Sequence, residues 1–265
     1  MRKITLFWLL SFWLFLSSAF SQNIENQYKR IGTAQATSLS LDILGNIYLL
    51  NGNTIYKLSS SGEVVASYTN FKLGEITSVD VDNPLKIMLF YKDAGAIVFL
   101  DSQMTPLMET IDLMENHYYS ISLATFSSDD LIWLYDNRAK ELIAVDFFLK
   151  EKRRISIDNE LSSPAALLAI PEKSLFLHDP ATGILMFDAF GTYLKTITLI
   201  TQSKIQISDN QVVYIDQDEL FLYDFQALRQ SWLAYLPGGV LQAVLWNNQV
   251  LFIGSDKNVY SFPIE

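Results

Sequence analysis

Short apolar runs alternate with polar turns along the chain, and one strand-like run recurs six times. Its copies are IYLL (47–50), IMLF (87–90), IWLY (132–135), LFLH (175–178), VVYI (212–215) and LFIG (251–254). Successive copies begin 37 to 45 residues apart. Each is followed by a polar turn and a second apolar run, such as TIYKL (54–58). Short apolar runs bounded by Asp, Asn, Gly and Pro are typical of β-strands.

Two further strand-like runs complete each unit. TSLSLD (37–42) precedes the first copy, while EVVASY (63–68) and METIDL (108–113) follow the first and second. Four-stranded antiparallel units repeated at this spacing predict an all-β fold, a six-bladed β-propeller. The last unit has only three strands, and QYKRIG (27–32) is expected to complete it and close the ring. A β-sandwich is the alternative, but it does not account for six copies in register.

The strand–turn–strand pattern over residues 37–265 resembles six-bladed propellers of the NHL-like and sugar-lactonase-like kind, and more loosely quinoprotein-type repeats. Four of the second apolar runs end in aspartate, at Asp101, Asp146, Asp188 and Asp224. DPATGILMFD (179–188) is similar to the Asp-x-x-Thr-Gly turn of a quinoprotein repeat, although the Trp that follows in those repeats is absent from this unit. The resemblance implies an architecture that includes lactonases, ligand-binding proteins and assembly scaffolds, so it does not choose a function.

The first 21 residues have the pattern of a secretory signal peptide. A cationic start precedes an apolar run, and the small residues Ala19 and Ser21 precede a cleavage position at Gln22. An uncleaved membrane anchor is the alternative, but the run from Ile4 to Phe20 is shorter than the roughly 20 residues of a membrane span. We therefore predict a signal peptide over 1–21 and a single propeller domain over 22–265.

The absence of cysteine and the acidic charge narrow the compartment and the partners. A chain with no Cys has no disulfide and no lipoprotein-processing residue, so we expect a periplasmic or secreted protein. Half of the residues are hydrophobic, which is enough for a packed core. The formal net charge of −10 disfavours nucleic acid and anionic membrane surfaces as partners. We expect a monomer without a stable membrane span after signal cleavage.

Candidate chemistry is sparse. Two His and no Cys are poor material for a zinc site or a Ser-His-Asp triad, and neither a Gly-x-Ser-x-Gly elbow nor a phosphate loop is present. We nominate no catalytic residue and expect no cofactor. A calcium site remains open on inner-strand aspartates, namely Asp42, Asp80, Asp82 and Asp209. Turn formation is the alternative explanation for those that lie at strand ends.

The segments that connect the repeats differ from one another, which suits a recognition surface on one face. The candidate binding residues there are Phe71, Lys72, Asp93, His117, Tyr118, Tyr119, Asp136, Arg138 and Asp179. Two alternatives stay open. Tyr118 or Tyr119 starts the next strand and packs, and the aspartates that follow the recurrent run bond their own turns.

These patterns favour an exported, non-enzymatic β-propeller that serves as a protein-interaction or scaffold module in the bacterial cell envelope. The alternative is a sugar-lactonase-like hydrolase or small-ligand binder with a carboxylate-bound divalent cation in the central channel. His178 aligns with apolar positions such as Leu50 and Phe90 of the other units. It therefore reads as a strand residue rather than as part of a His-Asp site.

Overall fold

The computed structural model describes residues 28–32, 34–127, 130–157, 161–170 and 172–264. They form 24 β-strands in six four-stranded antiparallel sheets, which are the blades of a propeller. The prediction of an all-β, six-bladed fold is confirmed. Among the described residues, no helix has the length and apolar character needed to cross a membrane.

The first strand along the chain, β1 (Lys29–Arg30), belongs to the last blade. Blade 1 contains β2 (Ser38–Leu41), β3 (Ile47–Asn51), β4 (Thr54–Leu58) and β5 (Val64–Thr69). Blade 2 contains β6 (Ser78–Asp80), β7 (Ile87–Tyr91), β8 (Ala96–Leu100) and β9 (Ile111–Asp112). Blade 3 contains β10 (Ile121–Phe126), β11 (Ile132–Asp136), β12 (Glu141–Val145) and β13 (Glu151–Ser156).

The remaining blades follow the same order from the innermost strand outwards. Blade 4 contains β14 (Ala166–Ile170), β15 (Ser174–Asp179), β16 (Gly183–Asp188) and β17 (Tyr193–Ile197). Blade 5 contains β18 (Gln206–Ser208), β19 (Gln211–Asp216), β20 (Glu219–Asp224) and β21 (Arg229–Tyr235). Blade 6 contains β22 (Gln242–Trp246), β23 (Gln249–Ile253), β24 (Val259–Pro263) and, outermost, β1.

Alternating strand direction gives the ring two different faces. We call the connection face the one that carries the segments between blades, including 70–77, 113–120, 198–205 and 236–241, and the turns after each second strand. We call the turn face the opposite one. It carries the turns after the first and third strands, including 42–46, 81–86, 101–110, 146–150, 188–192 and 225–228.

The second strand of each blade has an apolar central run because neighbouring blades cover both of its sides. In β7, Phe90 belongs to the apolar core that blade 2 shares with blade 3. Tyr91, the next residue, belongs to the core that blade 2 shares with blade 1. Successive side chains of a strand point to opposite faces of the sheet, so a strand between two covered faces shows no polar alternation. This burial explains why the recurrent run is the strongest repeat signal in the sequence.

Two strands, β1 and β9, depart from the regular pattern of the blades. β1 pairs antiparallel with β24, with Lys29 opposite Ser261, and residue 27 lies outside the described residues. β9 is much shorter than the predicted run over 108–113. The chain before it follows the edge of β8 irregularly, where Leu107 N donates to the carbonyl of Phe99 at 2.9 Å. An isolated antiparallel bridge between Leu100 and Pro106 and a bond from Asp101 N to the carbonyl of Thr105 accompany it, in place of a regular strand ladder.

Candidate functional site

The innermost strands of the six blades surround a central channel with a cavity volume of about 240 Å³. Each liquid water occupies about 30 Å³, so the space suits several waters or a small ligand. Its walls are mainly apolar and include Leu39, Val79, Leu123, Leu167, Ile207 and Val244. Two carboxylates, Asp80 and Asp82, lie where β6 ends near the turn face.

Asp80 is held by the neighbouring blade. Its Oδ2 accepts hydrogen bonds from Thr125 Oγ1 at 2.7 Å and from Phe126 N at 2.9 Å, and its Oδ1 accepts one from Asp82 N at 3.2 Å. Burial raises the pKa of Asp80, against the opposing effect of these donors. The carboxylate therefore joins blades 2 and 3 at the channel wall.

Asp82 differs from Asp80 because its environment favours the protonated form. Burial, and then the negative charge of Asp80, raise the pKa of Asp82 to about 8. Asp80 receives three hydrogen bonds that favour its charged form, so we assign the shared proton to Asp82. At neutral pH Asp82 is therefore mainly protonated.

The four aspartates considered for calcium do not come together. Asp42 is buried, and it accepts hydrogen bonds from Leu44 N and Tyr48 Oη, which fix its own turn. Asp209 lies on the turn face and forms an ion pair with Lys173. Within the described ranges, no group of three or more His, Cys, Asp or Glu side chains is placed to hold a metal ion. Only Asp80 and Asp82 share the channel.

Two glutamines at the channel were missed by the sequence reasoning. Gln242 Oε1 accepts from Leu39 N at 3.0 Å, and its Nε2 donates to Leu39 O at 2.8 Å. Gln206 binds both backbone groups of Leu245 in the same way, at 2.7 and 3.1 Å. These amides join blade 6 to blade 1 and blade 5 to blade 6. The only sequence signal for them is a polar residue at or near the start of an otherwise apolar inner strand.

The connection face carries the exposed aromatic residues that the sequence suggested. Phe71 is 82% exposed and Tyr119 is 63% exposed, on the connections before and after blade 2. Lys72 is exposed beside Phe71. His117 is exposed as well, and its Nδ1 lies 2.6 Å from Tyr119 Oη. Tyr118 is half-buried and packs against the core between blades 2 and 3.

The aspartates of the turns on this face mostly serve the backbone. Asp136 Oδ1 accepts hydrogen bonds from Arg138 N and Ala139 N, both at 2.8 Å, so it fixes the turn after β11. The Arg138 side chain is exposed, as is Asp93 in the corresponding turn of blade 2. This geometry supports turn formation as the reason for the recurring aspartates.

Asp179 is fully buried and lies beneath the connection face, not on it. Its carboxylate accepts hydrogen bonds from the N–H groups of Ser162, Ser163, Ala181 and Thr182. Burial works to raise its pKa, but these donors outweigh that effect and hold the pKa below its usual value. Asp179 thus ties the connection between blades 3 and 4 to the turn after β15.

His178 occupies the strand position that its alignment predicted. It is 2% exposed, and its Nε2 has no hydrogen-bond partner among the described residues. Burial lowers its pKa, although a hydrogen bond with the backbone of Thr201 and the charge of Asp179 act in the opposite direction. His178 and Asp179 therefore serve two different contacts between elements and do not form a joint site.

Neither a family model nor a curated protein matches this chain. Solved structures share its fold at low identity. The Neurospora crassa Pan2 WD40 domain has a TM-score of 0.62 at 8% identity, covering 88% of this chain and 94% of that one. BamB from Moraxella catarrhalis has 0.56 at 9%, covering 89% and 99%. Catalytically inactive virginiamycin B lyase from Staphylococcus aureus with quinupristin has 0.58 at 10%, covering 90% and 88%. The chain is a six-bladed β-propeller of this broad structural class.

Proposed function

We propose that this chain is an exported, non-enzymatic β-propeller that binds a protein partner in the bacterial cell envelope through its connection face. The carrying observation is the pair of exposed aromatic side chains, Phe71 and Tyr119, on the two connections that flank blade 2. Aromatic residues on loops held by a rigid scaffold are typical centres of protein interfaces. Lys72 and His117 lie beside them and supply polar groups for the rim of such an interface.

The separation of the two histidines supports binding rather than catalysis. The two His are separated, with His178 buried between blades and His117 on an exposed connection. The export half of the proposal rests on the signal-peptide pattern of residues 1–21, which lie outside the described residues. The envelope is the compartment in which that pattern and a chain without Cys are both expected.

Site-specific photocrosslinking in whole cells tests this proposal. A photoreactive residue at position 71 or 119 should give a discrete crosslinked product, and the combined F71A and Y119A substitutions should abolish it when the probe stands at Lys72. Gln230, exposed on the outer strand β21, is the control position and should give no such product. Equal products from all positions, or none from 71 and 119, would contradict the proposal.

A second candidate function is supported by one observation, the Asp80–Asp82 pair in the channel. Two carboxylates among apolar walls suit a cation or a small cationic ligand more than a neutral one. Calcium titration followed by thermal unfolding tests it, because a ligand that binds only the folded state raises Tm. For this function, Tm should rise with calcium in the native chain and stay constant in D82N.

A further inference from the structure

The aspartates that end several strands build one recurrent turn on the turn face. In blade 3, Asp146 Oδ1 accepts hydrogen bonds from Phe148 N and Lys150 N, both at 3.0 Å. The same pattern, from the backbone N–H groups two and four residues later, recurs at Asp42, Asp101 and Asp188 with distances of 2.8–2.9 Å. Each carboxylate fixes its turn and holds the second residue after it at the tip.

Three of these four tips are apolar and exposed. Phe148 is 91% exposed, Leu44 is 71% exposed and Phe190 is 60% exposed. The fourth tip is Gln103, which shows that the turn itself does not need an apolar side chain. Because the backbone of each tip is already fixed by its aspartate, little conformational entropy is lost when the tip enters an apolar environment.

Other turns extend this arrangement around the ring. Leu85 is 68% exposed in the turn after β6, and Leu228 is 74% exposed in the turn after β20. Each of blades 1 to 5 therefore presents at least one large, exposed apolar side chain to the turn face. The side chains stand on separate turns of separate blades. A bilayer accepts such separate insertions, whereas a protein interface centres on contiguous, well-packed clusters.

The path of the chain gives a second reason to consider a membrane at this face. β1 is antiparallel to β24 and runs from the turn face towards the connection face, so the chain enters the propeller from the turn face. The apolar run from Ile4 to Phe20, the predicted signal segment, precedes β1 in the sequence. A membrane contact of that run before cleavage is therefore expected on the side of the ring that carries the turn face.

The charges on this face indicate which lipids it suits. Lys86 is paired with Asp130 and Lys173 with Asp209, and the exposed Lys150 lies in the same turn as Asp146. The whole chain carries a net charge of −10. Attraction to anionic lipids needs an excess of basic residues, which this acidic chain lacks, so we expect apolar insertion to supply the affinity and zwitterionic lipids to be preferred.

We propose that the turn face docks on a zwitterionic bilayer surface by inserting its apolar tips, chiefly Phe148 and Phe190. The connection face then points away from the membrane. The test uses the chain from Gln22 onwards, which keeps every strand of the six blades, since all strands lie within 28–264. Binding is measured by co-sedimentation with phosphatidylcholine vesicles.

The F148S/F190S double variant should lower the partition coefficient about 30-fold, because each phenylalanine loses its apolar burial. That change corresponds to about 2 kcal/mol. The matched control is I200S/L241S, which removes two exposed apolar side chains from the connection face and should leave vesicle binding unchanged. Q103F places an apolar side chain at the tip of the turn that Asp101 fixes, and this variant should bind vesicles more strongly.

Four results would overturn the proposal. They are no binding of the native chain to phosphatidylcholine vesicles, equal binding of F148S/F190S, equal loss in I200S/L241S, or stronger binding once anionic lipid is added. A further outcome would assign the turn face to a protein partner. In that case the purified native chain fails to bind vesicles, and a photoreactive residue at position 148 crosslinks to a protein in cells. Failure of the connection-face crosslinks leaves this test intact, because the two experiments probe opposite faces.

Discussion

The side-chain amide of Gln242 pairs with both backbone groups of Leu39, 203 residues away in the sequence. Gln242 is 7% exposed, and it imitates one step of a β-ladder between the inner strands of blades 6 and 1. The first and last full blades of the ring are therefore joined at the channel as well as through β1. Loss of this amide would leave two backbone groups of Leu39 without their partner.

We expect Q242A to lower the free energy of unfolding by about 2–3 kcal/mol, because buried polar groups that lose their partners keep their desolvation cost. Urea unfolding followed by tryptophan fluorescence measures the change. Gln249, exposed at the start of β23, is the control, and Q249A should change stability by less than about 0.5 kcal/mol. Similar urea midpoints for Q242A and the native chain would show that the pairing of Gln242 with Leu39 does not stabilise the ring.

The raised pKa of Asp82 predicts a stability that depends on pH. The folded pKa of about 8 lies above the usual 3.8, so the folded state binds the extra proton between these values. Stability from this group is complete below pH 4 and is lost as the pH rises through 8. D82N should therefore be more stable than the native chain at pH 9, by on the order of 2–4 kcal/mol, and the difference should shrink towards pH 5.

Urea unfolding of D82N and of the native chain, repeated from pH 5 to pH 9, measures this difference. D209N is the matched control, because Asp209 is exposed and its pairing with Lys173 is worth little. A difference between D82N and the native chain that stays constant across this range would refute the shared proton.

The two histidines provide a second test of pH dependence. Burial lowers the pKa of His178, so the unfolded state binds a proton more readily than the folded state. The contribution of His178 to stability should fall as the pH drops below about 6.5, opposite in sign to that of Asp82. The stability of H178L relative to the native chain should therefore rise from pH 7 to pH 5, whereas H117L, at the exposed histidine, should keep the native pH dependence. Thermal unfolding at several pH values distinguishes the two.

Two glycines with positive φ separate backbone strain from steric overlap. Gly191 has φ 85°, and a Cβ there would lie 2.1 Å from Ile155 Cδ1 and 2.8 Å from Trp133. Gly74 has φ 79°, and a Cβ there would meet no atom within 4 Å. G74A should cost about 1 kcal/mol from the left-handed backbone alone. G191A should cost about 2–4 kcal/mol because the Ile155 side chain and the buried Trp133 ring must also shift. Equal unfolding midpoints would show that this contact adjusts freely.

The export proposal predicts a defined N-terminus. Expressed in a bacterial host with a secretory pathway, the full chain should be cleaved before Gln22 and recovered outside the cytoplasm. N-terminal sequencing of the fractionated protein measures this. Replacing Ala19 and Ser21 with bulky residues should block cleavage and leave the chain bound to the membrane. Native material that keeps Met1 would support the anchor instead.

The sequence alone determined the repeat, the number of blades and the second strand of each blade. That strand is buried on both sides, so its central residues are all apolar, and such a run can be recognised in the sequence without a structure. It also determined that His178 is a strand residue, because the alignment of repeats places it among apolar neighbours. Local turn chemistry marked the recurrent aspartates as well, since an aspartate bonds backbone groups only a few residues away.

Tertiary structure decided which polar residues meet. The Asp80–Asp82 pair, the Gln206 and Gln242 clamps and the burial of Asp179 depend on contacts between blades. Such contacts are set by how sheets pack around the channel, and no periodicity along the chain records them. The same holds for the faces. Phe148 and Phe190 look like ordinary apolar residues in the sequence, and only the alternating strand directions place them together on one face, opposite Phe71.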